Sequence, residues 1–324
     1  MSKTSTDPIR HALNGPTMGT RWSALFYAAA EIDPKPVHNA LQAEMDEIDA
    51  EMSIWKPDSA LMLLNAGPVG DWIEVPARLA DVLRLALEIG RASGGAFDIG
   101  VGDAVNAWGF GPCAADRNLI RNALGTSRQP AHAVVELDPV HAKVRKHAPI
   151  SIDLNGIAKG YAVDRLAATL SRFDIASGLV GVDGEMRALG LGFDDEPWNV
   201  AIESPDTARR APHSMLALQD AAVATSGDCR HWTVVNGRRL SHTMDPRRGA
   251  PLLSSPASVT VVARSCAEAD AWATALMVLG PTLGIEVARR LGLDVLFLLR
   301  DTSGGFQPMA TGPLFSIGRN PNLT

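Results

Sequence analysis

Apolar residues recur at helical spacing in several parts of the chain, most clearly after Asp33-Pro34. An aspartate followed by proline is a good helix start, because the aspartate side chain caps free amides and proline suits the first turn. The residues that form the apolar face of this helix are Val37, Leu41, Met45, Ile48 and Met52. The same periodicity predicts helices ending at Leu64 and Leu170, and helices over residues 76–91, 118–124, 265–279 and 282–291.

Alternating or short apolar segments predict strands, which dominate the second half of the chain. The predicted strands cover residues 21–27, 72–75, 134–137, 143–146, 198–203, 215–223, 258–263 and 295–299, with two more around Asp183-Gly184. A hairpin is predicted over 232–240, because Asn236-Gly237 favours a type I′ turn. Residues 224–228 are predicted as a polar turn, and the chain after residue 299 as a polar tail.

These elements predict an α+β fold. The 324 residues are 46% hydrophobic, which is enough to bury a large core. No long linker, repeat or charge block divides the chain, so we expect one intertwined unit over residues 1–324, with mixed or antiparallel sheets flanked by helices. Residues 1–14 are expected to form a flexible N-terminal extension.

Composition excludes several classes of protein. The formal net charge is −6 and lysines and arginines do not cluster, which argues against a nucleic-acid or anionic-membrane surface. Cys113, Cys229 and Cys266 are scattered without a Cys-x-x-Cys pair, so we expect free buried thiols. No apolar run reaches the roughly 18 residues of a membrane span. Residues 1–15 contain no apolar export segment, so a cytoplasmic location is expected, or a periplasmic one if a signal has been removed.

The stretch SIDLNGIAKGYAVD, residues 151–164, is organised in three parts. Ile150, Ile152 and Leu154 alternate and predict a short strand over residues 150–154, followed by a turn at Asn155-Gly156 and a helical pattern. Gly156 lets backbone approach a ligand, a helix start presents unpaired amides, and Lys159 adds a positive charge. Such an arrangement suits a phosphate group. An ordinary strand-to-helix connection with a surface lysine fits these residues equally well.

Asp270 and Thr274 are four residues apart and so lie on one face of the helix over 265–279. A carboxylate and a hydroxyl suit magnesium, whose remaining ligands are often water and substrate phosphates. A solvated polar stripe is the alternative interpretation of the same spacing.

Other catalytic motifs are weak or absent. Ser226, His242 and Asp245 could suggest a hydrolase, but no G-x-S-x-G sequence accompanies them. No G-x-x-x-x-G-K-[ST] loop is present. The glycine-rich stretch over 95–111 lacks a helical or strand period and is a plausible ligand-lining loop.

Several stretches together resemble the ApbE family of FAD:protein FMN transferases. They occur in the family's order and span nearly the whole chain: PTMGT (16–20), MSIWKPDSALMLLN (52–65), GGAFDIGVGDAVNAWGFG (94–111), SIDLNGIAKGYAVD (151–164), VATSGD (223–228), SHTMDPRRGAP (241–251), and SVTVVA with ADAWATA (258–275).

The resemblance implies magnesium-dependent cleavage of FAD, with FMN passing to a threonine or serine hydroxyl of a target protein through a phosphodiester bond and AMP released. It implies metal ligation by Asp270, Thr274 and the backbone carbonyl of Ala158. His242, as base or proton shuttle, and Asp245 would be catalytic. Residues implied in binding FAD are Met18, Trp55, Asp98, Gly102, Asp103, Asp153, Gly156, Lys159, Asp164, Thr225 and Ser226.

The resemblance also implies an acceptor flavoprotein with a Ser/Thr-Gly-Ala-Ser/Thr-type segment. The chain departs from the family pattern at Trp55, Gly100, Asp183 and Arg248, none of which is an implied metal ligand. Two alternatives stay open: an FAD-binding or storage protein, and a magnesium-dependent pyrophosphatase that releases FMN and AMP. The acceptor protein and the oligomeric state stay open too.

Overall fold

A computed structural model of the chain describes residues 8–206, 211–228, 232–235 and 238–316. Its helices are α1 (Pro34–Met52), α2 (Ala60–Ala66), α3 (Ala77–Ala92), α4 (Gly102–Ala107), α5 (Arg117–Gly125), α6 (Ala131–Val134), α7 (Ala158–Arg172), α8 (Cys266–Leu291) and α9 (Pro313–Ser316). Its strands are β1 (Ile9–Thr17), β2 (Thr20–Ala28), β3 (Trp72–Glu74), β4 (Val135–Asp138), β5 (Lys143–Lys146), β6 (Ser177–Val182), β7 (Glu185–Leu189), β8 (Trp198–Glu203), β9 (Pro212–Leu218), β10 (Ala222–Gly227), β11 (Trp232–Val235), β12 (Arg238–Ser241), β13 (Met244–Asp245), β14 (Ala250–Pro251), β15 (Ser258–Ala263), β16 (Asp294–Arg300) and β17 (Phe306–Thr311).

An eight-stranded sheet organises the fold, in the order β1-β2-β6-β7-β10-β15-β16-β17. Each strand in it runs antiparallel to its neighbours. Helices α1, α7 and α8 contribute to the core on one face, and the β8–β9 ribbon packs on the other. The structure therefore confirms an α+β fold, with antiparallel sheets flanked by helices.

Strand β16 shows that both faces of the sheet are covered. Side chains on a strand point alternately to opposite faces. Val295 and Phe297 belong to the core under the helices, whereas Leu296 and Leu298 belong to the core under the β8–β9 ribbon. The uninterrupted apolar run over residues 295–298 therefore follows from burial on two sides.

Helix α1 begins as predicted, and α8 has an internal break. The Asp33 side chain accepts a hydrogen bond from the Lys35 amide at 3.0 Å. Gly280 inside α8 has φ 74° and precedes Pro281, which accounts for the two helices predicted over 265–279 and 282–291. By length and composition α8 could cross a membrane, but 50% of its most apolar 18-residue stretch is buried within the fold.

Both edges of the main sheet differ from the sequence prediction. Residues 9–14 were expected in a flexible extension, yet they pair with β2 as part of β1. The expected polar tail contains β17, which pairs with β16 and places Pro308 opposite Leu298. Edge strands are half exposed and tolerate proline, so their sequences carry little apolar alternation. Pairing with a buried neighbour decides their structure.

The segment after residue 212 also differs from the prediction. One strand was predicted over 215–223 and a turn over 224–228, but the chain forms β9 and then β10. Asp220, with φ 47°, lies in the turn between them. Thr225 and Ser226 are therefore strand residues, paired with Thr260 and Val259 of β15.

The cysteine and hairpin predictions have mixed outcomes. Cys266 is buried as expected, but Cys113 is exposed, so that part of the prediction was wrong. Strands β11 and β12 pair antiparallel as predicted. Cys229 and the Asn236-Gly237 turn lie outside the described residues.

Residues 150–154 were predicted as a strand but pair with no neighbouring strand in the part of the chain that the structure describes. The Asn65 side chain takes the place of a strand partner. Its amide nitrogen donates to the Ile152 carbonyl at 2.9 Å, and its oxygen accepts from the Ile152 amide at 2.7 Å. Lys146 Nζ in turn donates to the carbonyls of Leu64 and Asn65, each at 2.8 Å. The end of α2 thus fixes the segment that leads into α7.

Replacing Asn65 with alanine should destabilise the fold, because both backbone groups of Ile152, which is 1% exposed, would lose their partners. We expect the free energy of unfolding to fall by about 2 kcal/mol or more, measured by urea denaturation. Leu63→Ala on the same helix is the control, since Leu63 is exposed and its loss should change stability by less than about 0.5 kcal/mol. Equal stabilities for the two variants would contradict the role of Asn65.

Candidate active site

A cavity of about 1090 Å³ opens where the β1–β2 turn, the loops around residues 53–56, 96–101 and 153–157, and the ends of α7, β10 and α8 meet. Most residues implicated from the sequence line it. They are Met18, Trp55, Asp98, Asp153, Gly156, Ala158, Lys159, Thr225, Ser226, His242, Asp270 and Thr274.

Close contact between α7 and α8 forms the floor of the site. The Gly160 amide donates a hydrogen bond to Asp270 Oδ2 at 3.0 Å. A Cβ atom on Gly160 would overlap the Cys266 carbonyl oxygen and lie 2.8 Å from Asp270 Cβ. Only glycine permits this approach. The contact places the Asp270 carboxylate beside the first turn of α7, two residues from Ala158.

One helical turn beyond Asp270, Thr274 meets the loop that precedes α7. A Cβ atom on Gly156 would lie 3.2 Å from Thr274 Oγ1, and Ser226 Oγ lies 3.2 Å from the same oxygen. Thr225, the neighbour of Ser226 on β10, bonds instead to Thr260 Oγ1 at 2.8 Å. Ala158 is far from Asp270 and Thr274 in sequence, yet all three residues line one end of the cavity.

Burial and neighbouring charges perturb the ionisable groups at this end. Burial raises the pKa of Asp270 to about 7, and the negative charge of Glu185 adds to the shift, while Lys159 and the Gly160 amide oppose it. Burial lowers the pKa of Lys159, but the charges of Glu185 and Asp270 outweigh it, so the pKa lies above its ordinary value. Carboxylates perturbed in this way are frequent at functional sites.

Two further carboxylates lie on the cavity wall. Asp98 accepts hydrogen bonds from the amides of Gly100 at 2.7 Å and Ala131 at 3.1 Å, and burial raises its pKa. Asp153 accepts from the Asn155 amide at 2.8 Å, and burial raises its pKa to about 6. Both carboxylates hold the loops that carry them.

Met18 reaches the cavity through a tight turn. Met18 and Gly19 join β1 to β2, with φ angles of 43° and 71°. Two successive positive φ angles are typical of a type I′ hairpin turn. Trp55 lies at the entrance and is 61% exposed, so its ring offers a surface that a flat ligand could cover.

His242 follows β12 and lines the cavity. Its ring meets the edge of Phe110, with 6.5 Å between the ring centres. Phe110 is itself a cavity residue. The histidine is thus placed beside an apolar wall, in reach of whatever occupies the cavity.

Four implicated residues have structural contacts and do not line the cavity. Asp164 accepts from the amides of Cys266 at 2.8 Å and Ala267 at 2.9 Å, so it caps α8 from the side. Asp103 pairs with Arg128 at 2.6 Å. The Gly102 amide donates to the Ser151 carbonyl, which packs the loop on the segment before α7.

Asp245 is the fourth. Its side chain accepts from the Arg247 amide at 3.1 Å, and its carbonyl accepts from the amides of Arg248 and Gly249. These bonds shape the turn between β13 and β14. Asp245, Gly102, Asp103 and Asp164 therefore make contacts that hold the loops and helices around the cavity.

Sequence reasoning missed Glu185, at the start of β7. The residue lines the cavity, is 4% exposed, and accepts a hydrogen bond from Lys159 Nζ at 2.9 Å. A charged residue next to a turn is usually exposed, so its position gave no sign of burial. Neither its place at the start of a strand nor the residues that follow it, Met186 and Arg187, indicated that its side chain is buried.

The residues present fit a magnesium ion. No group of three His, Cys, Asp or Glu side chains in the described ranges is arranged to hold a metal. Magnesium, however, is commonly bound through one or two carboxylates, with water and substrate phosphates as further ligands. Asp270, Thr274 and the Ala158 carbonyl would supply oxygen donors only. One buried Glu185 oxygen has no hydrogen-bond partner among the residues that the structure describes, which adds unused acceptor capacity nearby.

Comparisons with known sequences point to one family. The ApbE family model matches residues 18–297. The FAD:protein FMN transferase of Salmonella typhimurium is 35% identical over 310 residues, which cover 93% of this chain and 87% of that protein. The FAD:protein FMN transferase of Klebsiella pneumoniae is 34% identical over 298 residues, 90% of this chain and 85% of that protein.

Solved structures agree. The flavin transferase ApbE from Vibrio cholerae superposes with a TM-score of 0.83 at 31% identity, covering 95% of this chain and 99% of that one. The apo form of the Pseudomonas stutzeri flavinyl transferase ApbE gives a TM-score of 0.83 at 32% identity, covering 96% of both chains. The similarity therefore extends over nearly the whole fold.

The raised pKa of Asp153 predicts a pH-dependent stability. Since the folded-state pKa of about 6 exceeds the unfolded value of 3.8, the stabilisation from its protonated form is complete below pH 3.8 and is lost as pH rises through 6. Asp153→Asn cannot ionise. In the presence of a chelator and without FAD, the free energies of unfolding of the variant and the wild type should be equal near pH 4. At pH 8 the free energy of unfolding of the variant should be about 3 kcal/mol higher than that of wild type. An equal difference at the two pH values would rule out this ionisation.

Proposed function

The chain belongs to the ApbE family, and from this premise we propose that it is a magnesium-dependent FAD:protein FMN transferase. In the proposed reaction, a threonine or serine hydroxyl of an acceptor protein attacks the FMN phosphorus of FAD. A new phosphodiester bond forms, the pyrophosphate bond breaks, and AMP leaves with the electron pair. The hydroxyl proton passes to a base. The observation that carries the proposal is one cavity lined by Asp270, Thr274, Ala158 and His242.

The size and shape of the cavity support FAD as the substrate. Its volume of about 1090 Å³ exceeds the roughly 300–1,000 Å³ that is typical of small-molecule sites, as an elongated dinucleotide requires. Met18 and Trp55 offer apolar surface at one side, suited to a flat ring system. The oxygen-rich end at Asp270 is suited to the pyrophosphate with its cation.

Asp270, Thr274 and the Ala158 carbonyl would hold the magnesium ion. When bound, the ion would offset charge on the pyrophosphate oxygens. The protein's own contribution is preorganisation: the Gly160 amide orients Asp270, and Ser226 and Gly156 hold Thr274. Positioning of this kind supplies much of the rate enhancement in phosphoryl transfer.

His242 is proposed to accept the proton of the acceptor hydroxyl. An imidazole has an ordinary pKa near neutral pH, so it can accept a proton there. Phe110 beside its ring limits the directions from which water can approach the histidine. The acceptor is proposed to be a flavoprotein that presents a Ser/Thr-Gly-Ala-Ser/Thr-type segment at the cavity entrance.

The activity is tested by incubating the protein with FAD, magnesium and an acceptor peptide that carries such a segment. Transfer predicts flavin fluorescence that stays on the peptide after denaturation, with one AMP released per flavin attached. Free FMN with AMP would show a pyrophosphatase instead. Intact FAD bound to the protein would show a storage protein and overturn both enzymatic assignments.

His242→Ala should slow transfer without weakening FAD binding. Loss of a positioned base typically reduces the rate by about 10²-fold or more. We therefore expect kcat to fall by about that factor, with the Kd for FAD, from fluorescence quenching, within about twofold of wild type. His213→Ala is the matched control, because His213 is exposed on β9 and does not line the cavity. A large loss of FAD affinity in His242→Ala would make His242 a binding residue.

A further inference from the structure

Lys159 and Glu185 form an ion pair on the cavity wall. Lys159 Nζ donates to Glu185 Oε1 at 2.9 Å and lies 3.4 Å from Asp183 Oδ2. The two carboxylates differ in exposure: the Glu185 side chain is 6% exposed and that of Asp183 34% exposed. Interaction between charges is screened less when they are buried. Glu185 is therefore the stronger counter-ion of the lysine.

Asp270 lies within the field of both charges. Asp270, Glu185 and Lys159 all line the same cavity, so the carboxylate of Glu185 repels the Asp270 carboxylate and the ammonium of Lys159 attracts it. Lys159 sits on the first turn of α7, one residue before Gly160, whose amide holds Asp270. Within the described residues, Lys159 bonds to Glu185 and Asp183 and makes no hydrogen bond to Asp270.

We propose that Glu185 is a positioning residue that keeps the Lys159 ammonium away from Asp270, so that Asp270 stays open to a divalent cation. The inference rests on the proposed function, because it presupposes a cation at Asp270. A buried carboxylate and an adjacent ammonium attract each other strongly, and their pair would occupy the oxygens that the cation needs. Glu185 prevents that pairing because its own ion pair with Lys159 holds the ammonium at another position.

The second oxygen of Glu185 raises the alternative that Glu185 is itself a direct metal ligand. Glu185 Oε2 is buried and has no hydrogen-bond partner among the described residues. A buried carboxylate oxygen without a partner is unfavourable. Either a directly bound cation or a water molecule held by that cation would supply the missing partner of Glu185 Oε2. A direct ligand and a positioning residue differ in one measurable respect. If Glu185 is a direct ligand, its replacement weakens Mg²⁺ binding whether or not Lys159 is present; if it is a positioning residue, its replacement weakens binding only when Lys159 is present.

The net charge of three side chains gives the expected order of affinities. With both carboxylates ionised, as cation binding requires, Asp270, Glu185 and Lys159 together carry one negative charge. Glu185→Gln leaves no net charge and removes the stronger counter-ion of the ammonium, which can then approach Asp270, so Mg²⁺ should bind at least about tenfold more weakly. Lys159→Met leaves two negative charges, and Mg²⁺ should bind as tightly as in wild type or more tightly. The double variant regains one negative charge without an ammonium, and its affinity should return to within about threefold of wild type.

The test is calorimetric titration of the full chain with MgCl₂, without FAD and so without turnover. The thermal unfolding midpoint of each variant shows that it is folded. Glu44→Gln is a matched control, since Glu44 is also 4% exposed and ion-paired but lies outside the cavity, and its Mg²⁺ affinity should equal wild type. In a crystal of Glu185→Gln, Lys159 Nζ should lie within hydrogen-bonding distance of Asp270.

Each contrary outcome has a separate meaning. If the double variant binds Mg²⁺ as weakly as Glu185→Gln, Glu185 is a direct ligand and the positioning role is wrong. If Glu185→Gln binds as wild type does, Glu185 has no role in the cation site. Asp270→Ala serves as the reference for the site itself: retention of wild-type Mg²⁺ affinity by that variant would overturn the metal site of the proposed function, whatever the other variants show.

Discussion

The close contact of α7 with α8 at Gly160 is the constraint on which the candidate site depends. Without a side chain at Gly160, the two helices approach until a backbone amide of one bonds the Asp270 carboxylate of the other. Asp164 adds a second tie, because it caps the first amides of α8. Two helices separated by about a hundred residues are thus held in one register, which sets where Asp270 and Thr274 face the cavity.

The same contact makes the site electrostatically unusual. Asp270 and Glu185 are buried, and the half-buried Lys159 lies beside them, so each charge depends on the others. Burial alone would favour neutral carboxylates. A cation would reverse that preference, and a buried carboxylate is otherwise an unfavourable group to retain in a core. The packing of two helices and the proposed magnesium dependence are linked in this way.

Much of the fold could be predicted from the sequence, and the errors have physical causes. Helix α1 and strand β5 follow from capping and from periodicity, which are local properties. Strands β1 and β17 were missed because edge strands depend on a partner for their structure. Residues 150–154 were mistaken for a strand because the Asn65 side chain satisfies their backbone, a contact between residues 87 positions apart.

The predictions of site residues show the same difference between local properties and tertiary contacts. Asp270 and Thr274 share a helix face, and the structure places both side chains in the cavity, whereas Asp103, Asp164 and Asp245 looked equally suitable and make structural contacts outside it. The partners of a carboxylate are set by tertiary structure, and sequence does not give them. Glu185 was missed because nothing local indicates that it is buried.

The most direct test of a metal site built by the α7–α8 contact is crystallographic. Crystals grown with MnCl₂ and ADP, as a pyrophosphate substitute, would be measured for anomalous scattering at a wavelength where manganese contributes. The proposed function predicts an anomalous peak bounded by the Asp270 carboxylate, Thr274 Oγ1 and the Ala158 carbonyl oxygen. A cavity with bound ADP and no peak at these atoms, or a peak that does not touch Asp270, would contradict it.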